Sequence, residues 1–122
     1  MTGPLAYLDF DYAETDDGQG TFDAMAAVAP PALPALEAEL LRVLDWAARA
    51  FGPPLPLEEG GEWDVELQGV REVATTLQLQ WTPGAAALAW RSGASGAPRT
   101  TVSVTLTGSA AFCEAFRQAF PA

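Results

Sequence analysis

Polar and apolar residues alternate over residues 5–12, where Leu8, Phe10 and Tyr12 fall on one side and Tyr7, Asp9 and Asp11 on the other. This period of two predicts a half-buried strand. A turn signal follows, Glu14-Thr15-Asp16-Asp17-Gly18-Gln19-Gly20. Residues 21–28 then read as a returning strand with Phe22, Ala24, Ala26 and Val28 on one face; the alanines leave a short helix as the rival reading. Pro30-Pro31 breaks the chain, and from Leu33 the period changes. Leu33, Leu36, Leu40, Val43, Leu44, Ala47 and Phe51 recur at three- and four-residue steps, the stripe of an amphipathic helix. Pro34 suits its first turn, and Gly52-Pro53-Pro54 stops it.

Residues 53–61 form a connecting loop within one domain. Trp63, Val65 and Leu67 then alternate with Asp64, Glu66 and Gln68. The theme repeats in 73–82, where Val73, Thr75, Leu77, Leu79 and Trp81 oppose Ala74, Thr76, Gln78 and Gln80. Thr82-Pro83-Gly84 has the chemistry of a type II turn. Leu88 and Trp90 mark a short strand, 92–98 reads as a flexible polar loop, and Val102, Val104 and Leu106 mark a strand over 99–107. Ser109 is the expected N-cap of a last helix with Phe112, Phe116 and Phe120 on one side.

The expected order is β-β-α-β-β-β-α. Clean alternation favours an antiparallel sheet with one packed and one wet face. The fold class is therefore α+β: a two-layer sandwich, with about five strands and two helices on one face, as a single domain over residues 1–122. The order of the strands in the sheet stays open.

Charge changes the picture of partners. The net charge is −10, from 16 acidic and 6 basic residues. Residues 1–68 carry −12 and residues 69–122 carry +2. Such a surface disfavours nucleic acid and an anionic membrane, and suits a basic protein or a divalent cation. One cysteine forbids an intramolecular disulfide, and neither a signal segment nor a membrane span is legible, so a cytoplasmic location is expected.

Candidate chemistry is sparse. Histidine and lysine are both absent. That removes imidazole acid–base catalysis, Ser-His and Cys-His nucleophiles, and Schiff-base chemistry. Cys113 falls within the phenylalanine stripe and reads as a small core hydrophobe rather than a reactive thiol. Asp9, Asp11, Asp16, Asp17 and Asp23 crowd one loop region, where carboxylates could ligate Ca²⁺; the spacing does not fit an EF-hand, and a solvated hairpin is the competing reading. Asp64 and Glu66 lie on the wet face of their strand. If that strand neighbours 5–12, four carboxylates crowd one surface. Trp46 sits at the rim of the helical stripe, where it either meets a partner or packs on the loop near Pro53.

These observations lead to an acidic binding protein of bacterial type, comparable in charge and size with immunity proteins or secretion chaperones. Its expected partner is a protein, basic in character, or a second copy of itself. The alternative is a cation-binding or carboxylate-based enzyme using the 9–23 loop. Trp46, Asp64 and Glu66 are the partner-contact candidates.

Overall fold

The computed structural model describes residues 4–121. Six strands and two α-helices follow in the order β1 (Asp11–Glu14), β2 (Gly20–Val28), α1 (Leu33–Phe51), β3 (Trp63–Glu72), β4 (Thr75–Gln80), β5 (Ala89–Ser95), β6 (Arg99–Gly108) and α2 (Ala110–Ala119). The class is α+β as expected, with six strands in two antiparallel sheets rather than about five in one. The larger sheet has the order β1-β2-β6-β3, and β4 pairs with β5 separately.

β2 is a strand along its whole length, and its burial alternates strictly. Phe22, Ala24, Ala26 and Val28 face inward with Val104 and Leu106 of β6. The alanines that weaken β propensity leave room for the helical layer to approach. α1 buries Leu36, Glu39, Val43 and Ala47 along one line, with Leu33, Leu40, Leu44 and Phe51 half-buried on its flanks. α2 begins at Ser109, whose Oγ accepts from the Phe112 amide at 3.2 Å. Its Phe112 and Phe116 are fully buried, and the Trp63 indole lies parallel to the Phe112 ring at 5.8 Å. Gly20 and Gly108 are ladder partners beneath α2. A Cβ on Gly108 would stand 2.2 Å from Phe112, so the absent side chain lets the helix close on the sheet.

The first strand is shorter than the alternation predicts. Residues 5–10 lie outside it, because the amides of Ala6, Tyr7 and Leu8 donate to the Glu39 carboxylate at 2.5, 2.9 and 2.7 Å instead of to a neighbouring strand. Residues 92–95, expected as loop, are the second half of β5. The turn after Trp81 forms as predicted: Ala85 N–H donates to Thr82 O at 3.0 Å, and Gly84 takes φ +86°.

Candidate functional site

β3 and β6 are paired from Trp63↔Gly108 to Glu72↔Arg99. Beyond that pair the Gly96 amide reaches Ala74 O at 2.8 Å, and Thr75↔Ser95 takes up the ladder again. β3 and β4 thus run outward, and β5 and β6 return, as a two-stranded arm that turns at residues 82–85. Residues 66–97 are all exposed. Helices account for this. At 1.5 Å per residue α1 spans roughly 28 Å, whereas residues 63–80 extend over roughly 60 Å at about 3.3 Å each. The helical layer covers the base of the arm and ends.

The arm is amphipathic. Leu77 stands opposite Ser92, and Leu79 opposite Trp90, so these side chains share one face. Trp81 and Leu88, just past the last pair Gln80↔Ala89, follow the same alternation. Thr76, Gln78 and Gln80 take the other face, with Arg91 opposite Gln78. The apolar residues predicted to pack on a core are left open: Trp81 is 67% exposed and Trp90 65%. Of the twelve large apolar side chains exposed among the described residues, eight lie between Leu67 and Trp90. Leu77, Leu79, Trp81, Leu88 and Trp90 share one face, and a grouped apolar row of this kind marks an interaction site more often than scattered exposed leucines do.

The acids chosen from the sequence are dispersed. Asp11 and Asp23 are direct partners across β1 and β2. Thr105 donates its hydroxyl to Asp23 at 2.6 Å and stands between Asp23 and Glu66 on the outer face. β1 and β3 are opposite edges of the sheet, so the condition under which four carboxylates would crowd one surface as direct neighbours is not met. Asp64, on the same outer face, accepts from the Val65 amide at 2.9 Å. Asp9 lies outside the sheet, and Asp16 and Asp17 lie in the turn. There the Thr15 hydroxyl and the Gln19 amide donate to Asp17 and hold its carboxyl below the usual value. Among the described residues no three acids or thiols group so as to hold a metal ion.

Trp46 is half-buried, with ring centroids of Phe51, Phe112, Phe116 and Phe120 at 5.5–6.1 Å. Contacts with α2 and the end of α1 thus occupy it. Cys113 is 2% exposed; its thiol points to Gly108 O at 3.5 Å, and burial pushes its pKa up. A cleft of about 1080 Å³ runs between the 4–10 segment, β1 and α2. Leu5, Phe10 and Phe116 line it, and at its wall the Arg117 guanidinium stands 5.0 Å over the Tyr12 ring.

Two features lay outside the sequence reading. The arm's exposure was invisible to alternation, although comparing helix and strand lengths would have raised it. Glu39 had a signal: it sits three residues after Leu36 and four before Val43, a carboxylate inside an apolar stripe. Among the described residues no helix is long and apolar enough to cross a membrane. Comparison with protein-family models found no match, and comparison with curated proteins and with solved structures found no significant similarity.

Proposed function

We propose that this chain is a small acidic interaction protein that docks another polypeptide on the apolar face of its arm. The supporting observation is the row formed by Leu77, Leu79, Trp81, Leu88 and Trp90, with no second layer over it among the described residues. A two-stranded hairpin is marginal by itself in water, and a face rich in Trp and Leu gains from being covered. Electrostatics select among partners. Asp11, Asp23, Asp64 and Glu66 on the outer sheet face disfavour anionic ligands and favour a cationic surface. The partner that suits both surfaces presents an apolar row flanked by arginine or lysine.

The test compares the full chain with a Leu79→Ser/Trp90→Ser variant in cross-linking of purified and lysate-borne protein. The reading expects polypeptide adducts, to itself or to another protein, that the variant loses. Adducts unchanged in the variant, or no adducts from either protein, overturn it.

A further inference from the structure

We infer that the occupant of the arm's apolar face is a second copy of this chain, the two arms packing face to face about a two-fold axis. This rests on the reading of the arm as a docking element and names its partner.

Three observations point to self-association. The first is area. Leu77, Leu79, Trp81, Leu88 and Trp90 are each 45–67% exposed. Together they present roughly 600 Å² per copy, so two facing arms bury roughly 1,200 Å², the lower bound of a standard specific interface. The second is matching. Leu67, Val70 and Val73 lie toward the base of the same arm, and the exposed large apolar residues outside it, Tyr7, Met25, Leu41 and Leu55, are on four different segments. Among the described residues, the apolar surface that matches this face in extent is the same face on another molecule. An isologous contact needs that self-complementarity.

The third is charge. Residues 69–99 hold Arg71, Arg91 and Arg99 against Glu72, a net of +2, which leaves −12 on the rest of the chain. Each copy therefore combines a net basic stretch with an acidic remainder: Arg91 lies on the polar face of the arm, and Arg71 and Arg99 lie at its base. In an antiparallel arrangement about the two-fold, the basic arm of each copy extends toward the acidic body of the other. Attraction of unlike patches orients this encounter, and like-with-like body contacts are disfavoured.

The experiment measures the mass of the purified full chain by light scattering and sedimentation at micromolar concentrations, in low and high salt. The expected species has twice the 12.8 kDa chain mass. Leu79→Ser/Trp90→Ser is expected to reduce it to a single chain, and Arg71→Glu/Arg91→Glu to weaken it most at low salt. Orientation is read from cysteine variants. Leu79→Cys is expected to form an interchain disulfide on mild oxidation, while Gln78→Cys, on the opposite face, does not. These variants sit on exposed positions, and an unchanged circular dichroism spectrum shows that each still folds. A monomer at every concentration overturns the inference, as does a dimer indifferent to the arm variants. A monomer cross-linked to a different protein through the arm overturns the second copy but leaves the docking reading standing. A monomer whose arm binds lipid vesicles and no polypeptide overturns both.

Discussion

Leu79 and Trp90 face each other across β4 and β5, and both are more than half exposed. Their pairing links two strands without contributing to the core. Replacing either by serine is expected to lower the unfolding free energy of the monomeric chain by no more than about 1 kcal/mol, the worth of a cross-strand pair. Leu36, 1% exposed on α1, provides the contrast. Leu36→Ala is expected to cost about 2–5 kcal/mol, with less for Leu40→Ala because Leu40 is only half-buried. Denaturant melts of the four variants check this order, and a severe loss from Leu79→Ser would place the arm in a packed core after all.

Glu39 organises the segment before β1. Three amides converge on one carboxylate that is 8% exposed. Glu39→Ala leaves those donors unpaired and is expected to cost about 1–3 kcal/mol. Hydrogen exchange should quicken at Ala6, Tyr7 and Leu8 before it does in β2. Equal protection of these amides in the variant would show that the segment is held by its apolar contacts alone.

Gly108 is required by proximity. Its φ is ordinary, but a methyl group there meets the Phe112 ring. Gly108→Ala is expected to cost about 1–3 kcal/mol through displacement of α2. The measurement is thermal unfolding together with near-ultraviolet dichroism, because the Trp63–Phe112 stack reports the shift. An unperturbed stack and an unchanged melt would show that α2 can move away freely.

Cys113 makes the alkaline side of the stability profile sensitive to its thiol. Burial raises its pKa above the ordinary 9.0, while Tyr12 hydrogen bonding opposes the shift. Below 9.0 both folded and unfolded chains keep the proton. Above it the unfolded chain releases a proton that the folded chain retains, so stability falls as pH rises toward the folded value. Cys113→Ala is expected to remove that part of the slope. The native thiol should also react with a maleimide only after denaturant is added; rapid labelling at neutral pH would contradict the burial.

Much of the architecture is local and was readable along the chain. The stripe from Leu33 to Phe51 makes α1, the alternation of Val102, Val104 and Leu106 makes β6, and Thr82-Pro83-Gly84 makes its turn. In each case the residues that decide the backbone lie within a few positions of one another. What alternation cannot say is what covers a face. Leu67 and Leu106 fall in equally clear patterns, yet Leu106 meets the helical layer and Leu67 stands beyond it. Strand order is equally non-local: Thr105 separates Asp23 from Glu66 only because β6 lies between β2 and β3. The sequence by itself determined the class, the two helices and the polarity of each strand face, because periodicity carries that information. Tertiary structure alone decided that Glu39 would capture the N-terminal amides and that the arm would remain uncovered, because both depend on where separate elements end in space.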